Sequence, residues 1–115
     1  MRRGEIVTVS FAPSLGSEAA KSRPAVVVSN DAANTTATRL GRGVITVVPV
    51  TSNIARIYPF QVLLPAHQTG LPHDSKAQAE QVRSVAVERI GRRVGQLPGA
   101  LISDLDQALR LHLSL

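Results

Sequence analysis

Residues 4–11, Gly4-Glu5-Ile6-Val7-Thr8-Val9-Ser10-Phe11, alternate: Ile6, Thr8 and Ser10 fall on one side of an extended chain, Val7, Val9 and Phe11 on the other. A period of two with β-branched residues is the pattern of a strand, and it decides the class of fold because similar segments recur. Residues 24–29, Pro24-Ala25-Val26-Val27-Val28-Ser29, form an apolar run that predicts a buried strand starting at its proline. Residues 44–50 predict another, with Pro49 near its end, and residues 58–64 predict one that starts at or after Pro59. Residues 76–85 and 90–97 predict two more, each carrying Arg. Between these runs, residues 12–22 hold Pro13, Ser14, Gly16, Ser17 and Ser22 and predict a loop, and residues 51–56 predict a second. Residues 30–43 are polar and predict a turn with a single helical turn around 31–34, and residues 65–75 are turn-rich. The period changes only after Pro98. There Leu101, Leu105, Ala108 and Leu109 recur at helical spacing beside Ile102, while Asp104, Asp106 and Arg110 fall elsewhere on the wheel. Pro98 suits the first turn of that helix, although Leu97 is a poor cap. Strands first and one helix last predict a mainly β domain, a closed or curled antiparallel sheet with a packed C-terminal helix.

The 115 residues fit one domain, spanning 1–115. With two Phe, one Tyr and no Trp, the core must be built from Val, Leu, Ile and Ala. No cysteine is present, which excludes a disulfide framework and thiolate metal sites. The N-terminal Met-Arg-Arg-Gly leads straight into the alternating pattern without a long apolar core, and no apolar run is long enough to span a bilayer. A cytoplasmic chain with no membrane contact is the expectation. Thirteen Lys+Arg against eight Asp+Glu give a net charge of +5, and all the cations but Lys21 and Lys76 are Arg. Guanidinium forks suit phosphate groups and keep their charge when partly desolvated. The same bias follows from a GC-rich genome, so charge alone does not fix a partner.

Most catalytic kits are missing. No Walker loop, dinucleotide-binding glycine pattern or nucleophile elbow occurs. No paired carboxylates stand at metal-binding spacing, so neither a metal nor a cofactor is expected. His67 and His73 flank a turn beside Asp74, where a metal or general-base role competes with the plainer expectation of two exposed loop histidines. His112 lies near a helix C-terminus, where it can favour the last carbonyls.

Three segments stand out together: Gly16-Ser17-Glu18-Ala19-Ala20-Lys21-Ser22-Arg23-Pro24, Val48-Pro49-Val50-Thr51-Ser52-Asn53 and Ala79-Glu80-Gln81-Val82-Arg83-Ser84. With Arg2-Arg3-Gly4-Glu5-Ile6, Tyr58-Pro59-Phe60 and the Leu-rich end, they resemble the MazF/PemK family of toxin–antitoxin endoribonucleases. The resemblance implies a partly open SH3-like β-barrel with a C-terminal α-helix, assembled as a homodimer. It implies metal-independent cleavage of single-stranded RNA within a short preferred sequence, and neutralisation by a MazE-like antitoxin. On this resemblance the catalytic positions fall on Arg23, Thr51 and Glu18, and the RNA-binding positions on Ser17, Lys21, Ser52, Asn53, Arg56 and Gln81.

The residue types fit that chemistry. Metal-free cleavage uses the 2′-hydroxyl of the RNA as nucleophile, which separates RNA from DNA. Negative charge builds on the phosphoryl oxygens, where a fixed guanidinium and a hydroxyl donor lower the barrier. Arginine is a poor base, so either Glu18 or a non-bridging phosphate oxygen takes the 2′-proton, and Arg23 stabilises the phosphate or donates to the leaving 5′-oxygen. Plainer roles stay open: Arg23 as an ion-pair partner of Glu18, Thr51 and Ser52 as turn residues. Two other function classes also stay open, a CcdB-like poison that binds a protein target such as DNA gyrase, and a plain RNA-binding SH3-like module. Many relatives carry an aromatic residue where this chain has Val7, and another early in the first loop where it has Ala12-Pro13-Ser14-Leu15. Cut-site preference is therefore not carried over by the resemblance.

Overall fold

The structure is a computed structural model and describes residues 1–11 and 22–115. Seven strands are present: β1 Glu5–Ser10, β2 Ser22–Val27, β3 Val44–Thr51, β4 Gln61–Leu64, β5 Ser75–Gln78, β6 Arg83–Ala86 and β7 Ile90–Gln96. Three helices accompany them: α1 Asp31–Leu40, the single turn α2 Ala66–Thr69, and α3 Gly99–Leu113. The strands pair antiparallel in the order β4-β5-β3-β2-β1-β7, and β6 also pairs with β3. The sheet curls without closing, which is the open barrel-like form expected. The loop predicted over residues 12–22 lies, apart from Ser22, outside the described residues.

β3 is the strand on which the sheet is built. One edge pairs with β2, through Ala25–Pro49, Val26–Val48 and Val27–Val47. The other edge serves two partners in succession, β6 from Val44 to Val47 and β5 at Val50 and Thr51. Thr51 faces Lys76 and Val47 faces Arg83, four steps along β3 against seven along its neighbour. The three extra residues are taken up by the 3-10 turn Ala79–Gln81. The single strand expected over residues 76–85 is thus two strands with a step between them.

Both faces of the sheet carry apolar residues, as the alternation in β1 requires. Ile6, Val26, Val48 and Val50 share one cluster with Leu101, Leu105 and Ala108 of α3. Val7, Val9, Ala25, Val27, Ile45 and Val47 form the other, closed in part by Ala37 of α1 and by Val85. The helical spacing read from the sequence therefore describes the buried stripe of α3, with Ile102 and Leu109 at its margin. Pro98 stands in extended conformation one place before that helix and makes no side-chain cap.

Residues 30–43 depart most from expectation. They form a ten-residue helix, not one turn. The Asn30 side chain accepts from Ala33 N–H at 2.8 Å, and Gly41 ends the helix in the left-handed region at φ 66°. Asn34 is fully buried, and its amide donates to Ser29 O at 2.9 Å, while Ser29 Oγ accepts from Thr46 N–H at 3.1 Å. A polar lock, with only Ala37 as a buried apolar residue, thus holds α1 to the sheet. Smaller differences are that β2 begins at Ser22, before its proline, and that the turn-rich stretch contains α2, whereas β4 begins at Gln61, after its proline as expected.

The loop after α2 is pressed against β7 where β7 has a glycine. A Cβ on Gly95 would sit 1.9 Å from Thr69 O, a contact with rigid backbone. Gly95→Ala is therefore expected to cost about 1–3 kcal/mol, as overpacking of a tight contact does. Urea unfolding monitored by circular dichroism measures it, and an unchanged midpoint would show that the contact is not as tight as described.

Candidate active-site cleft

The register of the central strands brings Arg23 and Thr51 together. The β2–β3 ladder runs as far as Ala25–Pro49, Arg23 lies two residues before Ala25 on β2, and Thr51 faces Lys76 of β5. Arg23, Thr51 and Lys76 therefore belong to three neighbouring strands. The first two line a cleft of about 310 Å³ together with Ser52, Pro24, Leu71, His73 and Ser75. Arg23 is exposed and Thr51 half-buried, so the guanidinium is open to solvent above a more enclosed hydroxyl. Among the described residues the ion pairs are Arg2–Asp31, Arg3–Asp106 and Arg93–Glu5, and none of them involves Arg23.

Thr51 has the turn role that the sequence left open. Its Oγ1 accepts from Asn53 N–H at 3.2 Å, and Asn53 Oδ1 accepts from Ala55 N–H at 3.3 Å. This does not compete with chemistry. The hydroxyl uses a lone pair in the turn and keeps its own proton to donate, so the turn fixes the direction in which a donor is presented.

The cleft's second wall comes from residues 71–75, which were expected to be only turn-rich. Leu71 and Ser75 are buried, and Ser75 Oγ donates to His73 O at 2.9 Å. Asp74 Oδ1 accepts from Ala66 N–H at 2.8 Å, which ties the wall to the start of α2. His73 is exposed at the cleft while His67 is an exposed residue of α2 outside its lining. Of the two histidines weighed from sequence, the structure separates one from the other. The position of β5 beside β3 distinguishes them, and a single sequence carries no direct sign of that pairing.

The remaining expected residues divide. Ser52 lines the cleft, and Asn53 is tied to it through the turn. Arg56 and Gln81 are exposed but do not line it. Ser17, Glu18 and Lys21 lie outside the described residues, as does any pairing of Arg23 with Glu18. Arg56 packs its guanidinium 5.3 Å from the centre of the Tyr58 ring, which stacks on Phe60 at 5.4 Å. Lys76, which the sequence did not single out, holds this loop: its buried ammonium donates to Arg56 O at 2.6 Å and lies 5.9 Å from the Tyr58 ring. Among the described residues no three of His, Asp and Glu converge as a metal site would require.

An open, curled antiparallel sheet with a C-terminal helix, and a small cleft that sets a guanidinium beside a strand-end hydroxyl, define a compact basic β protein suited to an anionic ligand. The family profile described as "PemK-like, MazF-like toxin of type II toxin-antitoxin system" matches residues 2–113, and the chain belongs to that family. It is 67% identical to the endoribonuclease MazF9 of Mycobacterium tuberculosis, over 100% of this chain and 98% of that protein. It is 34% identical to the endoribonuclease MazF6 of the same organism, over 98% of this chain and 96% of that one. A crystal structure of MazE–MazF from Deinococcus radiodurans superposes with a TM-score of 0.78 at 29% identity, covering 100% of this chain and 97% of that one.

Lys76 gives a test of how the loop beside the cleft is held. Lys76→Met keeps most of the buried stem and removes the ammonium, leaving Arg56 O without its charged partner. A loss of about 1.5–3 kcal/mol is expected, the usual range for a hydrogen bond to a charged group. Urea unfolding measures the loss, and amide exchange over residues 52–58 should accelerate in the variant.

Proposed function

We propose that the Arg23–Thr51 cleft is where this chain, an endoribonuclease of the MazF-like toxins, cuts single-stranded RNA without a metal ion. The observation that supports the reading is that Arg23, from β2, and Thr51, from β3, line one cleft. The two residues that the family resemblance marks as catalytic come from separate strands and share one cleft.

The 2′-oxygen of the bound nucleotide attacks phosphorus in line with the departing 5′-oxygen, and the charge that develops falls on the non-bridging oxygens. Arg23 supplies a charged fork to those oxygens, and Thr51 donates its hydroxyl proton from a direction fixed by the Asn53 N–H. Glu18 or a phosphate oxygen takes the 2′-proton. Ser52, Asn53 and Arg56 follow Thr51 on the same exposed loop and guide the strand into the cleft, with Ser17, Lys21 and Gln81 as further RNA contacts. The chain acts as one domain over residues 1–115, as a homodimer in the cytoplasm. Among the described residues no helix is long and apolar enough to cross a membrane. A MazE-like antitoxin is the partner that silences it, a reading supported by the MazE–MazF complex of the Deinococcus relative. An acidic, flexible antitoxin segment laid across Arg23 and Arg56 would exclude RNA by charge and by space.

Purified protein incubated with single-stranded RNA in EDTA tests the reading, with the ends identified by mass spectrometry. The expected products carry a 2′,3′-cyclic phosphate and a free 5′-hydroxyl, and DNA of the same sequence stays intact. Arg23→Ala and Thr51→Val should each lower kcat/KM by about 10²–10³-fold, the usual loss when one charge-stabilising donor is removed. The urea midpoint of Arg23→Ala should not move, because that side chain is exposed. Salt-sensitive binding with intact RNA would instead indicate a binding module, and co-purification with gyrase without cleavage would indicate a CcdB-like poison.

A further inference from the structure

We propose that His73 is a third catalytic residue, the general acid that protonates the departing 5′-oxygen. The inference rests on the RNA-cleaving reading of the same cleft and adds the proton transfer that Arg23 and Thr51 leave unassigned.

Cyclisation moves two protons, one off the 2′-oxygen and one onto the 5′-oxygen. Neither a guanidinium nor an aliphatic hydroxyl releases and recovers a proton readily near neutral pH. The described lining of the cleft contains no carboxylate, and His73 is its one imidazole, a group able to give up and take back a proton. Position supports the same role. The strand order places β2 on one side of β3 and β5 on the other. Arg23 on β2 and His73, two residues before β5, therefore flank Thr51 from opposite sides. A phosphate bound by Arg23 and Thr51 lies in the same cleft as the imidazole. The backbone is also held for the task. The buried Leu71 and Ser75 bracket His73, Ser75 Oγ holds its carbonyl, and the Asp74 carboxylate is engaged by Ala66 N–H.

The step balances. The 2′-oxygen forms its bond to phosphorus as the bond from phosphorus to the 5′-oxygen breaks. The imidazolium of His73 gives its N–H proton to that oxygen and is left neutral, to be reprotonated by solvent. The 2′-proton leaves to Glu18 or to a phosphate oxygen. Among the described residues, the charged groups beside His73 in sequence are Asp74, bonded to Ala66 N–H, and Lys76, turned towards Arg56 O, and Arg23 lines the same cleft.

The test uses the full chain and two RNA substrates of one cleaved sequence, an ordinary RNA and one whose scissile 5′-oxygen is replaced by sulfur, a leaving group that needs no acid. His73→Gln should cut ordinary RNA about 10²-fold or more slowly than the native chain, in the range for lost acid catalysis. It should also lose the decline of rate at high pH and cut the sulfur-substituted RNA within about threefold of the native rate. Arg23→Ala, tested alongside, should be slow on both substrates. Near-native cutting of ordinary RNA by His73→Gln overturns the proposal, and so does an equal loss on both substrates, which marks a binding or positioning role. A native chain that cuts neither substrate overturns the RNA-cleaving reading and the proposal with it.

Discussion

The pairing of β3 with three neighbours is the constraint on which the rest of the molecule depends. β6 pairs with its first half from Val44 to Val47, β2 with Val47 to Pro49 on the other edge, and β5 with Val50 and Thr51 past Pro49. A strand flanked on both edges has its backbone groups satisfied and cannot slip, because a one-residue slip would turn Val48 and Val50 from one apolar cluster into the other. The three residues looped out at Ala79–Gln81 let the far edge change partner without breaking that register. Thr51 is the last residue of β3. Its neighbours across the sheet are therefore set by the whole strand, and the separation of Arg23 from Thr51 inherits the rigidity of the core.

The excess of arginine divides by position. Arg3 is structural: its Nε donates to Val28 O at 2.8 Å and its Nη2 to Asp106 at 2.7 Å, joining the N-terminal segment, β2 and α3. Arg93 pairs with Glu5 across β1 and β7. Arg89 donates to Ser10 O and Arg83 lies 5.2 Å from the Phe11 ring, so both hold the end of β1 where the chain leaves the sheet. Arg23 and Arg56 are placed differently, at or beside the cleft. Net charge therefore overstates the anion-binding surface. A guanidinium that anchors a carbonyl adds to the long-range field but has lost part of its fork to the protein.

What could be read from the sequence follows from the kind of force involved. The strands and α3 were legible because their burial is periodic, and alternation or helical spacing of Val, Ile and Leu records it directly. α1 was not, since its attachment runs through Asn34 and Ser29 and its sequence, rich in Thr and Ala, has no apolar stripe. Asn30 before it and Gly41 after it were the visible signs, a cap and a stop with ten residues between them. The break between β5 and β6 was hidden because it reflects a change of partner by β3, which no local pattern encodes. The site was legible in the same proportion. Arg23, Thr51 and Ser52 were singled out through the family resemblance, whereas the wall of residues 71–75 depends on long-range pairing and was read as a turn in which a role for His73 was only one alternative.

Under the role proposed for Thr51, its turn is a device that favours a transition state. A hydroxyl on a free loop spreads its donor direction over three staggered positions, and ordering it during the reaction would cost entropy. Here the β-branched side chain is already stiff about χ1, and the Asn53 N–H occupies one lone pair at 3.2 Å, so the oxygen is fixed before RNA arrives. Asn53 is in turn held by Ala55 N–H, and the loop's far end by the Lys76 ammonium on Arg56 O. This chain of short-range bonds runs from the strand end to a buried cation in β5, the strand that β3 also pairs with. The hydroxyl and its supports thus belong to one hydrogen-bonded unit, and its alignment is settled during folding, not during catalysis.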